Sequence, residues 1–390
     1  MAVTVPTFEP PATRIRRLGL AYPGDVRQAH TWSGTPSGLY RAFRDLGLEV
    51  APLGADPPRA VTFVASSAFA LRRLHRTPGP SLKERLRTSR TIALFSGPEL
   101  SGMRGRALRR DLRRTGSLDA VVQIGTGYEV PRGQRIATYE DLTVAQALQF
   151  PYPEWQGLSR GEQAAAVERQ RRAYERAAAC CFTSTWAAES AVRDYGVDPD
   201  KVYTVGVGRN HEAHPTGRNW AHTRFLFVGA EWHRKNGAAV LRAFAEVRRH
   251  VPDARLDLVG DHPAVDAPGV DCHGWLSMAA QVERRRLEEL FESATCFVMP
   301  SLYEPSAIAY VEAAAAGLPI VGTTVGGSAD LIGDGGILID PSSDQELTEA
   351  MLALAEPSRA QEVGAAALAH SAWFTWPLVA RRILAALEGW

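Results

Sequence analysis

Short β-branched and aromatic runs alternate with helical segments along nearly the whole chain, and this alternation constrains the fold more than any other feature. RRLGLAYPG from Arg16, LEVAPL from Leu48, TIALFS from Thr91, DAVVQIGT from Asp119, RIATY from Arg135, CCFTS from Cys180 and KVYTVGVG read as strands between Gly, Pro and polar breaks. Pro36 to Leu46, RGEQAAAVERQRRAYERAAA and WAAESAVRDYG read as helices between them. The pattern then stops at RNHEAHPTGRNWAHT, a polar, non-periodic stretch, and restarts with FLFVGA, a helix to His250, RLDLVGD, a helix around Gln281 to Glu292, TCFVMP, a further helix and LPIVGTT. Strand, helix, strand at this spacing implies parallel sheets with right-handed crossovers. The expectation is two doubly wound, Rossmann-like α/β domains facing across a cleft. They cover 1–208 and 224–375, with a linker over 209–223 and a C-terminal helix over 376–390 that can pack back on the first domain.

No apolar run approaches the roughly 20 residues of a membrane span, and MAVTVPTFEPPATRIRR lacks the basic-then-apolar layout of a signal peptide. A cytoplasmic location is therefore expected. Cys180, Cys181, Cys272 and Cys296 have neither disulfide nor zinc-ligand spacing and read as buried small apolar residues. The net charge of +1 conceals an asymmetry: residues 1–208 carry 29 Lys+Arg against 20 Asp+Glu, the remainder 15 against 23. The Arg-rich stretch from Arg104 to Arg114 reads as a solvated surface, with a peripheral contact to a membrane or polyanion as the alternative. No aromatics interleave with this charge, so nucleic acid is not an expected partner.

Two carboxylates, Glu304 and Glu312, stand in the otherwise apolar MPSLYEPSAIAYVEAAAAGLPIVG. In open parallel sheets ligands bind beyond the carboxyl ends of strands. With Pro305 at the first helical position, eight residues at about 100° each leave the two carboxylates about 80° apart, so both can address one ligand over the helix start. The N–H groups of Ser306, Ala307 and Ile308 would favour a phosphate there. An ionised Glu312 accepts hydrogen bonds only, which suits a vicinal diol such as a ribose. In VGAEWHRKNG, again a strand running into a helix, Arg234 and Lys235 sit where the helix dipole disfavours cations, and an anion would explain them. The chain has 41 Arg but only 3 Lys, so the choice of lysine at 235 stands out.

The order G-x5-K-x-G after a strand, then E-P-x6-E-A-x3-G-x-P-I-V-x-T-x-x-G-G, resembles the retaining glycosyltransferases of family 4, which have the GT-B fold. TWSGTPSGLYRAFRDLGLEV resembles that family's glycine loop and first helix. The resemblance implies a metal-independent enzyme without a cofactor that moves a sugar from a nucleotide-diphosphate sugar, a UDP-sugar before a GDP- or ADP-sugar, to a hydroxyl or amine acceptor. The acceptor would be a secondary metabolite or a cell-envelope glycoconjugate, small or lipid-linked. Lys235 and Arg234 would neutralise the diphosphate, and Glu304 would contact the transferred sugar. Glu312 would hold the ribose, with Gly229, Gly34, Thr35, Ser306, Ala307 and Ile308 around the donor. Glu140 stands where several relatives place an acceptor-facing histidine, with Asp141 beside it; either could meet an acceptor, the alternative for Asp141 being a helix N-cap. Trp32 and His30 can line the cleft. Ala230 replaces the family's usual arginine, a place Arg234 can fill, and Pro305-Ser306-Ala307 replaces its Gly-Phe-Gly. A sugar-nucleotide epimerase or hydrolase of GT-B shape, or a silent nucleotide-sugar-binding subunit, are the other readings. Oligomeric state is open. Asp198-Pro-Asp200 has the Asp-x-Asp form of metal-dependent transferases but reads as a turn, and Gly326, Gly327 and Ser328 could form an anion nest.

Overall fold

The computed structural model describes residues 13–28, 31–73, 81–95, 98–210, 217–278 and 280–389. The chain divides into two compact units, one running up to Val205 and resuming at Ala380, the other spanning Gly206–Val379.

In the first unit the elements are β1 (Arg17–Tyr22), α1 (Thr35–Asp45), β2 (Glu49–Gly54), α2 (Arg59–Arg73), α3 (Leu82–Phe95), α4 (Pro98–Thr115), β3 (Ala120–Ile124), β4 (Ile136–Glu140), the short α5 (Val144–Ala147) and α6 (Pro153–Gln156), α7 (Arg160–Arg176), β5 (Ala179–Phe182), α8 (Thr185–Tyr195) and β6 (Val202–Thr204). Its six strands are parallel in the order β2-β1-β3-β4-β5-β6. β3, β4 and β5 are buried throughout, as strands covered on both faces must be.

The second unit holds β7 (Arg224–Val228), α9 (Gly237–His250), β8 (Arg255–Val259), β9 (Val270–Gly274), α10 (Gln281–Ser293), β10 (Cys296–Val298), α11 (Ile308–Ala315), β11 (Ile320–Thr323), α12 (Ser328–Ile332), β12 (Gly336–Ile339), α13 (Asp344–Ala353) and α14 (Pro357–Ser371). Its order is β12-β11-β10-β7-β8-β9, again parallel. Numbered within the unit this is 3-2-1-4-5-6, the Rossmann order, whose ligand crevice opens where the order reverses, between β7 and β10. The last helix, α15 (Trp376–Glu388), begins in this unit and ends in the first. There Arg382 donates to the Val205 carbonyl at 3.0 Å, and Glu388 accepts from Thr13 Oγ1 at 2.9 Å and Arg14 N–H at 2.7 Å.

Several readings of the sequence need correction. Thr91–Phe95 of the stretch TIALFS is the end of helix α3, not a strand; a short apolar run fits either period, and Ile92 and Ala93 bury against Phe69 and Leu158. β9 is a further strand at the sheet edge. It carries Cys272, which is exposed, unlike the other three cysteines. α11 starts at Ile308 with Ala307 as N-cap, so Pro305 is not its first residue and the angular argument linking Glu304 to Glu312 falls. Asp141 is not a cap either: Thr143 caps α5, in a capping box with Gln146. Asp198 does form a turn, accepting from Asp200 N–H at 3.1 Å. The stretch read as a linker is partly anchored: Arg218 donates to the carbonyls of Phe291, Ala316 and Gly317.

Candidate active site

The loops after β7 and β10, neighbours at the reversal of strand order, carry the residues that converge. Lys235 Nζ donates to Glu304 Oε2, and Arg234 Nη1 reaches the same oxygen at 3.2 Å. Ser301 Oγ is a third donor to it at 3.1 Å. Lys235 and Glu304 are both buried, at 9% and 4% exposure, so their charges are held by one another rather than by water. Burial drives the Lys235 ammonium below its ordinary pKa, against the pull of Glu304. For Glu304 burial pushes upward, but Lys235 and Arg234 outweigh it and leave the carboxyl below its usual value. The arginine is steered from its other edge by Glu231, which accepts from Nη2 at 2.8 Å and Nε at 3.0 Å, and its guanidinium lies over the Tyr303 ring. Arg234 thus reaches the site from four residues beyond Ala230.

Backbone packing dictates how closely these groups approach. A Cβ on Gly229 would stand 2.9 Å from Lys235 Cγ, and one on Gly260 would stand 1.9 Å from the Gly229 carbonyl oxygen. Glu304 is fixed by the chain after β11: its N–H donates to Val325 O at 3.1 Å, and its carbonyl accepts from Gly327 N–H at 2.9 Å. Gly326, at φ +104°, has no room for a side chain, since a Cβ would lie 2.1 Å from Glu304 O. The Gly326–Gly327 pair therefore anchors Glu304. Of the three N–H groups read as an anion nest, that of Gly327 is therefore already engaged.

Glu312 lies one turn into α11, 8% exposed, and accepts from the Asn210 N–H at 3.4 Å. Ile308 and the residue after it head the helix, where N–H groups have no intrahelical partner. Ser306 Oγ, just before the helix, is buried without a hydrogen bond among the described residues. Past the ends of β7, β8 and β9 a cavity of about 430 Å³ is lined by Ala230, Gly260, Asp261, His262, Gly274 and Trp275. Asp261, His262 and Trp275 were not read as site residues from the sequence, although Asp261 and His262 follow within three residues of the end of β8. Ser301 and Glu231, three residues from Glu304 and Arg234 respectively, were missed as well.

In the first unit the order reverses between β1 and β3, and the loop after β1 ends in Trp32, Ser33 and Gly34, all at positive φ. Left-handed backbone at a tryptophan and a serine is strain of the kind that collects at functional loops. Trp32 stacks on Tyr22 with ring centroids 6.5 Å apart and meets Tyr139 edge-on. Thr35, buried, opens α1. His30 lies outside the described residues. Glu140 is not placed to meet an acceptor. It ends β4 at 5% exposure, and its oxygens accept from Thr126 N–H at 3.0 Å, Thr126 Oγ1 at 2.6 Å, Gln170 Nε2 and Tyr174 Oη. Burial raises its pKa against those donors. Asp141, half-buried, follows it.

Residues 222–357 match the family described as Glycosyl transferases group 1, and every residue of the Lys235–Glu304 cluster falls within that match. The chain is 29% identical over 250 residues to an alpha-maltose-1-phosphate synthase of Mycolicibacterium smegmatis, covering 55% of this chain and 64% of the relative. It is also 29% identical over 221 residues to a D-inositol 3-phosphate glycosyltransferase of Corynebacterium diphtheriae, covering 49% and 51%. The chain thus spans 51–64% of the length of these curated relatives. Among solved structures, sucrose-phosphate synthase from Thermosynechococcus elongatus superposes with a TM-score of 0.65 at 16% identity, over 94% of this chain and 96% of that one. WaaG, a glycosyltransferase involved in lipopolysaccharide biosynthesis, gives 0.60 at 17% identity over 96% and 100%. The fold is GT-B. In this GT-B chain the match to the group 1 glycosyl transferase model lies within the second unit.

Proposed function

We propose that the protein is a retaining, metal-independent glycosyltransferase that uses a nucleotide-diphosphate sugar. The observation carrying this reading is the meeting of Lys235 and Arg234 with Glu304 at the point where the strand order of the second unit reverses. A donor diphosphate would take the two cations, and their charge would stabilise the leaving nucleoside diphosphate as the bond from the anomeric carbon to the phosphate oxygen breaks. Glu304, released from part of its pairing, would contact the transferred sugar. The acceptor oxygen or nitrogen would form its bond on the face the diphosphate leaves, giving its proton to a phosphate oxygen. Glu312 would hold the ribose, and the cavity beside Ala230 would take the base. A hydroxyl or amine of a secondary metabolite or cell-envelope glycoconjugate is the acceptor class.

The test is nucleoside diphosphate release from UDP-, GDP- and ADP-sugars, with and without an acceptor panel and with and without a chelator. Release that requires an acceptor, ignores the chelator and yields a product of unchanged anomeric configuration supports the reading. Acceptor-independent turnover marks a hydrolase or epimerase instead. Full activity in both Lys235→Met and Glu304→Gln would end the assignment of these residues.

A further inference from the structure

Helix α2 carries no charged residue between Arg59 and Arg72. One side buries Ser66, Phe69 and Ala70. The opposite side is apolar and faces water: Val61, Val64, Ala68 and Leu71 are exposed at i, i+3, i+7 and i+10, one continuous helical stripe. Val64 and Leu71 are 65% and 66% exposed, with Phe63 at 57% beside them and Leu82 at 61% opening α3, which packs on α2. Five of the eight large hydrophobics exposed among the described residues therefore lie in this one pair of helices. A contiguous patch of that kind marks an interaction surface rather than ordinary solvent exposure.

Cations frame it. Arg59 opens α2 and Arg72 lies in its last turn, Lys83 follows Leu82, and the Arg90 guanidinium lies 4.7 Å over the Phe63 ring. α4 packs against both helices and exposes Arg106, Arg109, Arg110, Arg113 and Arg114, none of which pairs with a carboxylate among the described residues. A second copy of the chain meeting this face symmetrically would oppose arginine to arginine. A soluble polyanion would leave the apolar stripe in water. From apolar side chains at the centre and, on the packed α4, exposed arginines that no carboxylate among the described residues pairs, we infer that the α2–α3–α4 face of the first unit docks on an anionic lipid bilayer, the stripe entering the interface and the α4 arginines meeting headgroups.

The experiment is co-sedimentation of the full chain with phosphatidylcholine vesicles and with mixed phosphatidylcholine–phosphatidylglycerol vesicles across a salt series. Binding to the mixed vesicles alone, weakening as salt rises, is expected. Val64→Asp/Leu71→Asp, at exposed positions, should melt like the parent and lose at least about tenfold in binding. Arg109→Ser/Arg110→Ser/Arg113→Ser should lose about a hundredfold, at about fivefold per basic residue near the surface. No binding to mixed vesicles, or equal binding by the Asp variant, overturns the inference. So does concentration-dependent self-association that the Asp substitutions abolish while vesicles are ignored, which would make the face a contact between copies. None of these readouts depends on sugar transfer, so the inference can fail without the proposed activity failing.

Discussion

Lys235 and Glu304 are 69 positions apart in the chain and share a hydrogen-bonded ion pair, buried, with Arg234 on the same carboxylate oxygen. Removing either partner leaves the other charge stranded away from water, a loss larger than the worth of the pair itself. Lys235→Met and Glu304→Gln should each lower kcat by about a hundredfold or more, and the double variant should be far less impaired than the product of the two effects. Steady-state rates across this cycle test the coupling; independent, multiplying effects would contradict it.

Gly326→Ala should act on the same site from a distance. Its Cβ would meet the Glu304 carbonyl at 2.1 Å, at a positive φ that alanine resists. Displacing the bridge between the two loops should cost roughly 2–4 kcal/mol of stability and reduce turnover together with it. Denaturant titration alongside rate measurement checks both.

Glu312→Gln separates the roles of the two glutamates. Its carboxylate is a hydrogen-bond acceptor on α11 rather than a partner of Lys235 in the observed contacts. Its loss should raise the donor KM by about tenfold or more with a smaller change in kcat. Equal losses in kcat for Glu304→Gln and Glu312→Gln would merge the two roles.

A pH dependence should come from Glu140. Burial raises its folded-state pKa above the unfolded value, so its contribution to stability is fully present below the unfolded carboxyl pKa and is lost as pH rises through the raised folded value. Thermal melting from acid toward neutral pH should carry this decline in the parent, and Glu140→Gln should flatten it. A parallel profile in the variant would assign the dependence elsewhere.

Much of the fold was legible because strands such as AVVQI and ACCF are buried on both faces and so read as nearly continuous apolar runs, broken in the first only by the buried Gln123. β9 escaped because an edge strand, VDCHG, keeps Asp271, Cys272 and His273 in partial contact with water and shows no apolar run, and an alternation of only four residues is a weak signal. TIALFS misled because a short apolar run carries no period. Lys235, Arg234 and Glu304 could be picked out one by one from residue type and place after a strand, yet their mutual contact is a property of strand order, which no local spacing encodes. Glu140 looked available in sequence because the groups that occupy it, Thr126, Gln170 and Tyr174, come from elsewhere in the chain. The α2 stripe resembles core in sequence; only the exposure of Val64 and Leu71 tells otherwise.

The chain leaves the first unit at Val205 and re-enters it at Ala380 along α15. In genealogical terms the second unit is a parenthesis inside the first. One pair of cuts lifts out Gly206–Val379 as a continuous piece. A cut after Val205 alone gives a first unit without its closing segment, where Ile383 and Leu387 have no exposure at all and Arg382 holds the Val205 carbonyl. Expression of the first unit by itself therefore calls for a splice that joins Val205 to Ala380, rather than a stop codon.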